Sequence, residues 1–206
     1  WNVYADKIEF KSSLGNTDFD VIALFDNHVV IVEIKHLVTP YDPKRYYEDR
    51  QEIKKAIKQL KLRKQVLLRD WALIRDITNG FLPPEPYPEE RIIQLVCTNI
   101  DSFTSLEIDG IRIVDECVLI RFFSDNGQYV KIWSGSKIYK KEKIWEDSQP
   151  TIDDFKRYIA SPTAVKWYRE VVKRKNITIP RYGEREYLGT VNYILDEDIV
   201  KFDRQI

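Results

Sequence analysis

The segment that most constrains the fold is Thr17–His36, because it contains two apolar strands separated by a short polar turn. The turn is Asp26–Asn27, and Asn or Asp at such a position favours a tight connection between antiparallel strands. Successive side chains on a strand point to opposite faces, so Asp18 and Asp20 are expected on one face of the first strand. The sequence therefore predicts a β-hairpin with acidic residues set among apolar ones.

The second strand carries Glu33 and Lys35, which are also two residues apart and expected on one face. Pairing of the two strands would bring three carboxylates and one lysine together. A carboxylate with apolar neighbours such as Ile31 is costly to ionise unless a cation binds it. Mg²⁺ takes oxygen ligands, usually one or two carboxylates with water and phosphate oxygens. The pattern indicates either a site for a divalent cation and a phosphate, or a surface ion pair between Glu33 and Lys35.

The order D-x-D, a turn and then V-E-I-K resembles the PD-(D/E)xK nuclease superfamily, and most of all its nuclease-related (NERD) and restriction-endonuclease-like branches. On this resemblance Asp20 matches the metal-binding aspartate, and Glu33 and Lys35 match the E-x-K. Gln59 matches a glutamine that members commonly carry on the helix after the E-x-K strand. The likeness covers roughly residues 3–100.

One feature departs from the family pattern, since many members carry a glutamate on a helix ahead of the first strand. The chain begins at Trp1 with a strand-like segment, so we expect that helix to lie upstream. Glu9 is interpreted as a strand residue. Asp18 is expected either to add a ligand or only to tune Asp20.

The resemblance implies a Mg²⁺-dependent phosphodiesterase, with Mn²⁺ able to substitute, acting on nucleic acid, with DNA as the expected substrate. Lys35 would position the attacking water or neutralise the phosphate in the transition state, and Gln59 would orient the lysine or the water. The implied metal ligands are Asp20, Glu33, Asp18 and the backbone carbonyl of Ile34.

Basic residues are concentrated in the segment Arg50–Lys64, which contains seven basic residues and one acid, Glu52. The expected nucleic-acid contacts are Lys54, Lys55, Lys58, Lys61 and His36. A solvated helix face is the alternative for the lysines, and a surface histidine at a strand end is the alternative for His36.

The 206 residues are 43% hydrophobic and 32% charged, which supports a real core and a soluble surface. No apolar run approaches the length of a membrane span, and no signal peptide is visible, so a cytoplasmic protein is expected. Cys97 and Cys117 lie in no zinc-binding pattern and are expected to be reduced. The chain contains no methionine, so we expect it to be part of a longer protein.

The predicted fold is α/β, a restriction-endonuclease-like mixed central sheet flanked by helices, with a C-terminal α+β appendage. Residues 1–136 are assigned to the nuclease-like core and residues 137–206 to the appendage, which could belong to the same domain. Val118–Phe123 fits a helix or a strand. The predicted elements are strands over Asn2–Ser12, Arg91–Thr98, Ile111–Val114 and Tyr129–Trp133, helices over Lys44–Ile77, Thr151–Ile159 and Thr163–Lys175, and a tail of strand or short helix over Tyr187–Phe202.

Two other functional classes fit the same residues. One is a nuclease-fold module that has lost catalysis and binds nucleic acid or a protein. The other is an interaction domain in which the hairpin charges are incidental. The sequence does not separate DNA from RNA or endonuclease from exonuclease, and a homodimer is left open.

Overall fold

The computed structural model describes residues 2–4, 8–12, 14–124, 129–134, 137–145, 147–163, 165–166, 172–180 and 187–195. The strands are β1 (Asn2–Tyr4), β2 (Ile8–Ser12), β3 (Gly15–Phe19), β4 (Val21–Phe25), β5 (His28–Lys35), β6 (Ile92–Thr98), β7 (Glu107–Ile108), β8 (Ile111–Asp115), β9 (Tyr129–Ser134), β10 (Lys137–Lys143), β11 (Val172–Pro180) and β12 (Tyr187–Leu195). The α-helices are α1 (Pro43–Arg69), α2 (Trp71–Ile77), α3 (Glu116–Phe123) and α4 (Ile152–Ala160).

The chain separates into two compact units. The first comprises residues 1–128 and 144–160, and the second comprises residues 129–143 and 161–206. The predicted boundary at residue 136 falls between residues 129 and 143, and α4 belongs to the first unit although it lies late in the chain. The second unit contains the antiparallel pairs β9–β10 and β11–β12.

The first unit is built on a six-stranded sheet in the order β1-β4-β5-β6-β8-β7. Strands β5, β6 and β8 run parallel, and the other pairings are antiparallel, so the sheet is mixed. Helix α1 lies in the crossover between parallel β5 and β6, as such a connection requires. The predicted α/β class with a mixed central sheet is confirmed.

The β4–β5 hairpin forms as predicted. Asp26 and Asn27 have φ values of 46° and 56°, and positive φ at both central residues gives a turn whose twist matches the paired strands. The Asp26 carboxylate also accepts a hydrogen bond from the backbone N–H of Ile152 at 2.8 Å, at the start of α4. The turn residue therefore caps a helix that lies 126 residues later.

The predicted first strand of the hairpin is not continuous. Strand β3 ends at Phe19 and pairs with β2 in a separate two-stranded sheet, whereas β4 begins at Val21 and pairs with β5. Asp20 occupies the bend between them. Asp18 therefore lies on β3 and Asp20 lies in the bend after it, so the two residues do not share a strand face.

Three other predicted elements differ from the structure. The strand expected over Asn2–Ser12 is divided into β1 and β2, which pair in different sheets. The helix expected over Lys44–Ile77 is interrupted at Asp70, so that α2 is a separate short helix. Val118–Phe123, for which the sequence leaves helix and strand open, is helical, and Asp115 caps the N-terminus of α3 through a 3.0 Å hydrogen bond from the N–H of Val118. The helix expected over Thr163–Lys175 was wrong at its end, where β11 begins at Val172. The predicted tail beyond residue 195 lies outside the described residues.

The apolar face of α1 packs on one face of the sheet. Its buried apolar residues include Ile53, Ala56, Ile57, Leu60, Val66 and Leu67.

The opposite sheet face borders an apolar cavity of about 390 Å³ that is lined by β4, β5, β6, α3 and Phe155 of α4. Cys97 lines this cavity, and burial together with the nearby carboxylates Asp115 and Glu116 raises its pKa to about 11. No helix among the described residues is long and apolar enough to cross a bilayer.

Candidate functional site

The candidate site lies at the C-terminal end of β5, a central strand of the sheet. Glu33 faces α1 and is only 2% exposed. The Lys35 ammonium lies 2.7 Å from Glu33 Oε1, and its side chain is 24% exposed. An ion pair between Glu33 and Lys35, which the sequence gives as the alternative to a cation site, is therefore formed, and it is buried at the acid and partly open to solvent at the lysine.

Arg63 of α1 completes the surroundings of Glu33. Its side chain is 3% exposed, and one terminal nitrogen of the guanidinium forms an ion pair with Glu33 Oε2. The other terminal nitrogen lies 2.5 Å from Asp18 Oδ1, which belongs to a side chain that is 39% exposed. Two carboxylates from different sheets thus converge on one planar cation. A buried charge needs such partners, because an unpaired one carries a desolvation cost of several kcal/mol.

Asp20 lies one residue beyond the Val21–Val32 pair of the β4–β5 ladder, which places it beside Glu33. Its Oδ2 atom accepts a 2.8 Å hydrogen bond from the backbone N–H of Ile34. The N–H and C=O of one strand residue point toward the same neighbouring strand, so the Ile34 carbonyl also faces the side on which β4 has ended. The side chain of Asp20 and the carbonyl of Ile34 therefore lie on the same edge of β5.

The oxygen atoms around the end of β5 are of the type that a hard divalent cation takes as ligands. Asp18 and Glu33 pair with different terminal nitrogens of the Arg63 guanidinium. No group of three or more His, Cys, Asp or Glu side chains able to hold a metal occurs in the part of the chain that the structure describes. A set of two carboxylates and a carbonyl corresponds to the way Mg²⁺ is usually held, with water and phosphate completing the shell.

Asn99 fixes the chain just after the site. Its side-chain oxygen accepts a 2.7 Å hydrogen bond from the N–H of Leu37, and its side-chain nitrogen donates at 3.0 Å to the carbonyl of Leu37. The amide thus pairs with the backbone as another strand would. This clamp joins the chain following β5 to the chain following β6, and it holds the end of β5 on which Lys35 is carried.

Gln59 is exposed and lies one turn before Arg63 on α1. At about 100° per residue, Gln59, Glu52 and Arg63 share one flank of the helix. The pKa of Glu52 is lowered chiefly by a hydrogen bond from Lys55 and, to a smaller degree, by the charges of Lys55 and Lys35.

The other predicted basic contacts are distributed differently. Lys54, Lys58 and Lys61 are exposed and lie roughly 140° to 200° around α1 from Arg63. Lys61 forms a 2.7 Å ion pair with Asp109, and Lys55, on the flank of the site, forms a 2.6 Å ion pair with Glu52. His36 is exposed and directly follows β5.

Sequence reasoning did not identify Arg63 or Asn99. The burial of Arg63 could have been recognised from the sequence, because this charged residue lies three positions after Leu60 and four before Leu67, which are both on the apolar stripe of the helix. A charge at a core position predicts a buried partner. The role of Asn99 could not have been recognised from the sequence, since it depends on two chain segments that lie 62 residues apart.

Comparison with known proteins adds no relative from which a function could be transferred, since no protein-family model, no curated protein and no solved structure matches this chain.

Proposed function

We propose that this protein is a metal-dependent nuclease that hydrolyses phosphodiester bonds of nucleic acid, with DNA as the expected substrate, on a restriction-endonuclease-like core. The observation that supports this proposal is the convergence of Asp18 and Glu33 on one positive charge, with Lys35 directly beside Glu33. Asp20 and the Ile34 carbonyl lie on the adjoining edge of β5. The site thus has oxygen ligands for a cation and an ammonium for the phosphate.

Glu33 and Asp20 would hold Mg²⁺ or Mn²⁺, helped by Asp18 and the Ile34 carbonyl. When bound, the ion would polarise the scissile phosphate and lower the pKa of a coordinated water. Lys35 keeps its ammonium at the rim of the site, where partial exposure leaves it open to an incoming phosphate. There it would neutralise charge that develops on the phosphate oxygens. Gln59, on the same flank of α1 as Arg63, would orient the water or the lysine.

A nuclease-fold module without catalytic activity is the second candidate, and one observation favours it. Glu33 is paired with two cations of the protein itself, Lys35 and Arg63, so that its charge is already balanced. Such a network can be purely structural, because buried ion pairs often persist without a catalytic role.

Lys35→Ala tests the proposal most cleanly, because Lys35 is partly exposed and its removal leaves Glu33 paired with Arg63. We expect metal-dependent cleavage of duplex DNA, single-stranded DNA or RNA by the wild type, with a rate at least about 100-fold lower in the variant. Lys44→Ala is the matched control, since Lys44 is a highly exposed lysine at the start of α1. EDTA should abolish cleavage.

Equal cleavage by the wild type and Lys35→Ala would reject the proposed role of the site. If none of the substrates is cut with Mg²⁺ or Mn²⁺ while nucleic acid is bound, the inactive binding module is the better assignment. Stabilisation by Mn²⁺ in a thermal melt, which follows RT ln(1 + [L]/Kd), separates the two candidates further, because only a working metal site requires it.

A further inference from the structure

Arg63 occupies the position at which two of the proposed metal ligands meet. Its guanidinium forms ion pairs with Asp18 and Glu33. Its side chain is almost fully buried on the face of α1 that packs against the sheet. A guanidinium and a divalent cation compete for the same carboxylate oxygens at close range, since like charges repel strongly where water is excluded.

We propose that Arg63 is a built-in competitor for the metal: it holds Glu33 and Asp18 in the metal-free protein, and a divalent cation binds only as the guanidinium leaves them. This inference rests on the proposed function. Arg63 is accordingly a positioning residue that sets the metal affinity of the site. The released guanidinium is placed one turn from Gln59 on the flank facing the site, and its planar fork suits a phosphate oxygen pair as well as a carboxylate.

Binding of Mn²⁺ to the protein without nucleic acid tests the competition, read from the electron paramagnetic resonance signal of free Mn²⁺. We expect Arg63→Gln to bind Mn²⁺ about 5- to 150-fold more tightly than the wild type, the usual range for coupling between two sites. Arg69→Gln is the matched control, because Arg69 lies on the same helix and pairs with Asp70 rather than with the site. Its Mn²⁺ affinity should equal that of the wild type.

A second measurement needs no variant. In the wild type, slowly exchanging guanidinium protons of Arg63 should be visible by ¹⁵N–¹H NMR in the metal-free protein, as expected for a buried ion pair. Addition of diamagnetic Mg²⁺ should abolish them. If Arg63→Gln does not fold, this NMR result tests the competition on its own. Arg63→Lys keeps the positive charge but loses the two-nitrogen geometry of the guanidinium, so we expect its Mn²⁺ affinity to lie between those of the wild type and a variant without the charge.

The failures are distinguishable. Equal Mn²⁺ affinity in the wild type and Arg63→Gln, with binding abolished in Glu33→Gln, would overturn the competition while leaving the metal site in place. Persistence of the Arg63 proton signals at saturating Mg²⁺ would also overturn it. No Mn²⁺ binding by either the wild type or Arg63→Gln would overturn both the competition and the proposed metal-dependent function.

Discussion

The side chain of Glu33 has both a proposed catalytic role and a role in ion pairing. It is the acid of the proposed catalytic pair, and it also forms ion pairs with two basic residues, the partly exposed Lys35 and the buried Arg63. The hairpin chemistry of residues 17–36 made its position predictable, because strand alternation fixes which residues share a face. Its pairing with Arg63 was not predictable from local pattern, since the two residues meet only when α1 packs on the sheet.

Substitution of Glu33 should therefore destabilise the fold as well as the site. Glu33→Gln is expected to lower the free energy of unfolding by about 3 kcal/mol, the lower end for a broken buried pair, because Arg63 keeps Asp18 as a partner. Adding Arg63→Met should recover part of this loss, with a coupling energy of about 0.5–3 kcal/mol in a double-mutant cycle followed by urea denaturation.

The control for this cycle is the pair Lys64–Glu89, which spans 3.0 Å but lies at the surface. Glu89→Gln should cost less than about 1 kcal/mol, because solvent screens exposed pairs. Strict additivity of Glu33→Gln and Arg63→Met would contradict the network.

The elements were predictable to the extent that their sequences carry a period or a turn signal. The apolar repeat of α1, the Asp26–Asn27 turn and the apolar run of β6 each indicated the element that the structure contains. The break at Asp70 and the end of β3 at Phe19 were not predictable, because both depend on which segments pair or pack with them. The N-terminus of α3 is capped by Asp115, whose carboxylate also accepts a 2.6 Å hydrogen bond from the Thr104 hydroxyl.

The Asp115 cap should make a measurable contribution to stability. Asp115→Ala removes the cap of α3 and leaves the buried Thr104 hydroxyl without its acceptor, so we expect a loss of about 1–3 kcal/mol in unfolding free energy. Asp42→Ala is a useful comparison, because Asp42 caps α1 through a 2.6 Å hydrogen bond from the Arg45 N–H in a more exposed position. A loss for Asp115→Ala no larger than that for Asp42→Ala would show that the buried hydrogen bond adds nothing.

At the scale of the whole molecule, charge is balanced in total but not in distribution. The chain has 33 basic and 33 acidic residues, yet Lys54, Lys58 and Lys61 form a stripe along one flank of α1. The opposite flank carries Arg63 and Gln59. The basic segment was visible in the sequence, but its position relative to the site became clear only from the angle that each residue occupies on the helix.

Charge reversal on the lysine stripe tests whether nucleic acid follows it. Lys54→Glu with Lys58→Glu should weaken binding uniformly across sequences and reduce the slope of log affinity against log salt by about 2, one unit for each phosphate that the protein no longer neutralises. Fluorescence anisotropy with a labelled duplex at several salt concentrations measures both quantities. Lys156→Glu on α4 is the control, and an equal effect from it would indicate a general charge effect instead of a defined path.

The ion network around Glu33 also limits how the protein can change over evolutionary time. A mutation that removes Glu33 alone would leave the buried Arg63 with the partly exposed Asp18, so this mutation would lower fold stability as well as remove a proposed metal ligand. A lineage could lose Glu33 without that penalty only by replacing Arg63 as well, on a helix far from Glu33 in the chain. Loss of Glu33 by a single step is therefore selected against even where the proposed chemistry is no longer needed.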